Sequence, residues 1–128
     1  MSTTVKVLIV DDEINVLRSL ARLFIDCDFE ATTCCSPVEA EQLFETEGPF
    51  DIVLSDFMMP VMNGVDLLRR VSSKWPDTIG IILSGHADMQ QITTSIDDGL
   101  IKHFVKKPWD NEKLIQLMED EALAISLL

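Results

Sequence analysis

Three consecutive acids, Asp11, Asp12 and Glu13, close the aliphatic run VLIV at 7–10. Unpaired carboxylates about 4 Å apart repel by about 4 kcal/mol per pair at an effective dielectric near 20, so something must offset them. A hard divalent cation would do so, and Mg2+ takes one or two carboxylates plus waters and phosphoryl oxygens rather than a full protein cage. Three further reactive residues stand at comparable places: Asp56 after DIVLS, Ser84 closing IILS, and Lys107 after HFVK. A lysine ammonium and a serine hydroxyl both suit a phosphoryl group. An aspartate can itself be the nucleophile of phosphoryl transfer, forming an acyl phosphate; Asp56 is the natural choice because it leads a loop rather than entering a helix. Catalysis would then be positioning plus neutralisation of charge by the metal and the lysine.

Taken singly, each residue has a plainer explanation. Asp12 would serve equally as a helix cap, Asp56 as a loop acid, Ser84-Gly85 as a turn and Lys107 as a solvated charge. Their joint placement argues otherwise, and it depends on the elements that carry them. Short Val- and Ile-rich runs (VKVLIV at 5–10, FDIVLS at 50–55, TIGIILS at 78–84) read as strands buried on both faces, with FEATTC at 29–34 and HFV at 103–105 as weaker candidates. Between them, apolar residues three or four apart mark helices: Ile14, Leu17, Ala21 and Phe24 in the first, Leu114, Leu117 and Met118 in the last. Ser36-Pro37-Val38-Glu39 is an N-cap with proline at the first helical position and a capping-box glutamate. Asp88 and Asp110 are candidate caps of the fourth and fifth helices, and Gly48-Pro49 and Gly99 are stops. Five strand-then-helix units predict one α/β domain, a doubly wound parallel sheet with helices on both faces, whose ligands sit beyond the carboxyl ends of the strands. Asp11, Asp12, Asp56, Ser84 and Lys107 all fall on that rim.

The 128-residue length suits a single domain, and 47% hydrophobic with 25% charged residues suits a globular one. A net charge of −12 argues against direct nucleic-acid binding and against anionic membranes. No basic-then-apolar leader or 18-residue apolar segment is present, so a cytoplasmic location is expected. Cys27, Cys34 and Cys35 are an odd number without C-x-x-C spacing, and free thiols are expected.

The motifs VLIVDDE, DIVLSDFMMPVMNG, IILSGHAD and FVKKPW, in this order and spacing, resemble the receiver domain of two-component response regulators over nearly the whole chain. The resemblance implies a flavodoxin-like fold with strand order 2-1-3-4-5. It implies that Asp56 accepts phosphate from a histidine kinase or phosphotransfer protein. Asp12 and Asp56 would ligate Mg2+ directly with the main-chain carbonyl of Met58, and Asp11 through water. Ser84 and Lys107 would contact the phosphoryl oxygens. Pro108 would follow a cis peptide bond and shape the loop. Ser84 and Phe104 would be the switch pair that remodels the surface of the fourth helix and fifth strand. Met58 and His86 would tune hydrolysis of the acyl phosphate, although His86 also reads simply as an exposed loop histidine. Lys107 rather than Lys106 is assigned because it adjoins Pro108. Here serine stands where threonine is commoner, and Phe104, where tyrosine occurs in many relatives, lacks a phenol.

The chain is therefore expected to be a signalling domain rather than an enzyme. The rival readings are an Mg-dependent aspartyl-phosphate hydrolase, in which Met58 stands where a second acid belongs, and a receiver-shaped module that is never phosphorylated. A flavin module would want a hydroxyl- and glycine-rich phosphate loop where DDEIN stands. Residues 1–122 are expected to form the receiver domain. EALAISLL at 121–128 is apolar for a solvated end, so 123–128 is expected to begin a linker helix leading to a C-terminal output domain, or to contact a protein partner or a homodimer mate, with Ile125, Leu127 and Leu128 otherwise facing water. KPW with the G-x-I-x-x-F spacing also resembles regulators joined to phosphohydrolase-type outputs.

Overall fold

The computed structural model describes residues 4–85 and 89–127. Strands and helices alternate: β1 (Val5–Val10), α1 (Ile14–Leu23), β2 (Phe29–Cys34), α2 (Pro37–Glu47), β3 (Ile52–Asp56), α3 (Gly64–Lys74), β4 (Ile79–Ser84), α4 (Met89–Asp97), β5 (His103–Lys106) and α5 (Asn111–Ser126). All pairings are parallel, in the order β2-β1-β3-β4-β5.

The sheet's two-residue period divides the core into two layers. Leu8, Val10, Val53 and Ile82 pack with α2, α3 and α4, whereas Val7, Ile9, Ile52, Leu54, Ile81 and Leu83 pack with α1 and α5. β1, β3 and β4 are buried almost throughout, but β2 and β5 are half exposed. Those two are the sheet's edges, which is why FEATTC and HFV carry a weaker apolar signal.

Local capping largely follows the sequence. Ser36 Oγ accepts the Glu39 N–H at 3.1 Å with Pro37 in the first turn, and Asp110 accepts from Lys113 N–H at 3.0 Å. Asn63, which the sequence does not single out, caps α3 by accepting the Asp66 N–H at 2.8 Å. Asp88 lies outside the described residues, as do His86 and Leu128. Gly99 ends α4 with φ +79, a conformation costly to any residue with a Cβ.

Two readings need correction. Asp12 does not cap α1: the cap position is Glu13, without a side-chain bond, and Asp11 Oδ1 accepts the Glu13 N–H at 2.8 Å instead. The third strand begins at Ile52 rather than Phe50, because Phe50 packs edge-on against Phe44 and the Asp51 carboxylate accepts the Lys6 N–H at 2.8 Å. Helix α5 runs unbroken past residue 122. Of its apolar end, Ile125 turns back onto the α1/α5 layer of the core, while Leu123 and Leu127 are exposed.

Candidate functional site

Register brings the reactive residues to one rim. Val10 pairs with Cys34 on one side and Ser55 on the other, Asp56 pairs with Leu83, and Ser84 pairs with Lys106. Asp11, Asp56, Ser84 and Lys107 therefore sit at adjacent strand ends although they are far apart along the chain.

The first strand's two aspartates diverge. Asp11 is 1% exposed and points inward, whereas Asp12 is exposed. Asp11, Asp12 and Asp56 nevertheless offer carboxylate oxygens all within 4.8 Å of one another. Lys107, half-buried, donates to Asp11 Oδ2 at 3.0 Å and to Asp56 Oδ1 at 3.3 Å. Its neighbour Lys106 is exposed. Strand alternation explains the difference: with Phe104 on the α3/α4 face and Val105 on the α1/α5 face, Lys106 ends the strand at its open edge and Lys107 enters the loop above the sheet. The Lys107–Pro108 peptide bond is cis, and the Lys107 N–H donates to the Ser84 carbonyl at 3.0 Å. Ser84 itself is 2% exposed at the end of β4.

Charge at the site is unbalanced. Burial, and then the charge of Asp11, hold the Asp56 carboxyl above its ordinary value, with Lys107 and the Phe57 N–H pulling the other way. Burial alone would push the Lys107 ammonium down; hydrogen bonds and charges from Asp11 and Asp56 together lift it above its usual value. The three carboxylates and one ammonium leave two formal negative charges, which one magnesium ion would neutralise. Oxygen donors in this grouping fit a hard cation, and an exposed Asp12 leaves one side of the cluster open to water and ligands.

The β3–α3 loop forms the remaining wall. Gly64 opens α3 directly beneath the site, donating its N–H to Phe57 O at 2.8 Å; a Cβ there would fall 2.3 Å from the Asp56 carbonyl oxygen. Met58, two residues after Asp56, has an exposed side chain. Val61 has φ 78 and is 94% exposed, an outlying conformation for a β-branched residue that its sequence does not signal. Phe104 is half-buried against the core layer that includes Ile82, its strand partner on β4.

A second polar cluster escapes sequence reasoning. Glu121 on α5 is 6% exposed; its carboxylate accepts from Lys102 Nζ at 2.8 Å and lies 2.7 Å from His103 Nε2. It ties α5 to the start of β5, one residue from Phe104. Within EDEALA only its place on the buried stripe of the helix, three residues after Met118, distinguishes it from its exposed neighbours Glu119 and Asp120.

Comparison with known proteins gives a consistent result. The family model described as "Response regulator receiver domain" matches residues 7–119. The chain is 32% identical over 120 residues to the hydrogenase transcriptional regulatory protein HoxA of Bradyrhizobium diazoefficiens, covering 94% of this chain and 24% of that protein. It thus spans about a quarter of that relative's length. Among solved structures, the signal receiver domain of an HD domain-containing protein from Pseudomonas fluorescens Pf-5 superposes with a TM-score of 0.88 at 27% identity, covering 97% of this chain and 91% of that one. A response regulator receiver domain protein from Clostridium thermocellum gives 0.86 at 27% identity, covering 96% and 98%.

Proposed function

Because the chain belongs to the response regulator receiver domain family and so has the phosphoacceptor signalling role of two-component systems, we propose that Asp56 is the residue that takes the phosphoryl group. The observation that carries this reading is the convergence of Lys107 Nζ on Asp11 and Asp56, at 3.0 and 3.3 Å, across four strand ends. The donor is a histidine kinase or a phosphotransfer protein. An Asp56 oxygen forms a bond to phosphorus as the bond from phosphorus to the donor's imidazole nitrogen breaks, and the imidazole leaves with that electron pair. Asp12 and Asp56 with the Met58 carbonyl would hold Mg2+ directly and Asp11 through water; the ion supplies charge neutralisation for the phosphoryl oxygens. Lys107 gives up its contact with Asp56 to pair with the incoming phosphoryl group, and the Ser84 hydroxyl donates to it.

The phosphoryl group brings a charge of about −1.5 to −2 into a half-buried site. Ser84 moves toward it, Phe104 occupies the space released, and the surface around α4 and β5 changes. Lacking a phenol, Phe104 makes this move through packing alone. A few kcal/mol of differential stabilisation suffices to shift such an equilibrium. The domain works in the cytoplasm as a signalling element rather than by turnover of a small substrate: the exposed, apolar Met58 side chain stands where a hydrolase of this chemistry needs a second acid. Its state is read by an output domain or a partner protein, in keeping with relatives described as transcriptional regulatory proteins and as an HD domain-containing protein. Among the described residues no helix is long and apolar enough to cross a membrane.

The test is incubation with Mg2+ and a small acyl phosphate, followed by intact-mass measurement. Wild type gains one phosphoryl group and Asp56→Asn gains none. Equal gain by both proteins would show that another residue is the acceptor.

A further inference from the structure

The end of the molecule opposite the aspartate rim holds a groove of about 730 Å³, between the second half of α5 and the first residues of β1 and β2. Val5, Phe29 and Leu123 give it an apolar strip, and Cys27 stands within it. Leu123 is 62% exposed, and Leu127, the residue just past the end of α5, is 78% exposed. The α5 wall consists of Gln116, Glu119, Asp120, Ala122, Leu123 and Ser126, a spacing that keeps them on one side of the helix. That face is about 15 Å long at 1.5 Å per residue, the length of three turns of a facing helix.

The rim is acidic. Asp28, Glu119 and Asp120 line the groove and, among the described residues, no lysine, arginine or histidine does. None of the three is in an ion pair among the described residues, and the one hydrogen bond to their side chains there is from Gln116 Nε2 to Asp120, at 2.8 Å. By contrast, the acids of the groove between α2 and α3 are matched within the chain, Glu41 by Arg70 and Glu45 by Lys74. Burial, and then the charges of Glu119, Asp26 and Asp28, push the Cys27 thiol up, so a negative potential converges inside the groove.

We propose that this groove docks an amphipathic helix of a partner protein, one that lays leucine-like side chains over Leu123 and Phe29 and aligns lysines or arginines with Asp28, Glu119 and Asp120. A second copy of the chain fits poorly, because isologous pairing sets the same acids against one another. Nucleic acid and anionic lipid are repelled by the same charges. The surface is separate from the Asp56 site, and the inference does not depend on phosphorylation.

The probe is a 14-residue helical peptide with leucines on one face and lysines flanking them, titrated into the full chain while backbone amide shifts are recorded. The expected footprint covers 27–29 and 116–126. Glu119→Lys/Asp120→Lys weakens binding at least tenfold, and Asp97→Lys/Asp98→Lys, an equal charge change at the end of α4, weakens it less than threefold. Asp56→Asn binds as wild type does. Shifts scattered over the acidic surface, equal loss in the two charge-reversed proteins, or sedimentation showing self-association through α5 would each overturn the proposal.

Discussion

Replacing Lys107 with methionine keeps an unbranched side chain but removes the ammonium that reaches two buried carboxylates. Asp11 and Asp56 have side chains only 2% and 8% exposed, against 18% for Lys107. At contact distances of 3.0 and 3.3 Å and an effective dielectric near 20, each attraction is roughly 5 kcal/mol before desolvation is counted. Desolvation cancels most of that: a hydrogen bond to a charged group contributes about 1.5–3 kcal/mol net, and removing one partner of a buried pair costs about 3–5 kcal/mol. Water can reach the space the ammonium leaves, so Lys107→Met should destabilise the metal-free protein by about 2–3 kcal/mol. For a domain of this size that lowers Tm by roughly 10 °C. The assay is urea unfolding at pH 7 in chelator-treated buffer, repeated with Asp11→Asn alone and with both substitutions. Losing one carboxylate relieves the repulsion that the missing lysine exposes, so the double variant should recover at least about 1 kcal/mol relative to additivity. Magnesium binding should tighten in Lys107→Met, because a competing positive charge has gone. Stability within about 0.5 kcal/mol of wild type, or no coupling to Asp11, would refute the reading of Lys107 as the internal counter-ion.

Three further outcomes are expected. Burial favours the neutral form of Glu121, but hydrogen bonds and charges from Lys102 and His103 outweigh it and hold the carboxyl below its ordinary value. The stabilisation it provides is therefore complete above the ordinary glutamate range and lost as pH falls through the depressed value; urea midpoints of wild type and Glu121→Gln should differ at pH 7 and converge in acid, and a constant difference would count against the cluster. Cys35 is exposed whereas Cys34 is buried with its thiol pushed up to about 12, so maleimide at pH 7 should label Cys35 first and leave Cys34 unmodified, as peptide mass mapping would reveal. Val61→Gly relieves a positive φ at a β-branched residue and should stabilise the fold by about 1 kcal/mol in urea titration despite the added freedom of the unfolded chain; a loss of stability would mean that the loop is not strained there.

The strand–helix alternation, the rim of reactive residues and the caps at Ser36 and Asp110 are all legible in the sequence, because each rests on local pattern: apolar period, turn chemistry or a motif a few residues long. Even the pairing order could be expected once the four motifs were placed together. What tertiary structure alone decided is direction. Asp11 and Asp12 are chemically identical neighbours, yet one is buried beside Lys107 and the other faces solvent. Lys106 and Lys107 divide in the same way, and Glu121 is buried among exposed acids because β5 brings Lys102 and His103 beneath it. The Lys107 contacts span 96 and 51 residues of chain. A charge's partner at that separation leaves no trace in its own neighbourhood of sequence; it is selected by sheet register, which exists only once the strands have packed.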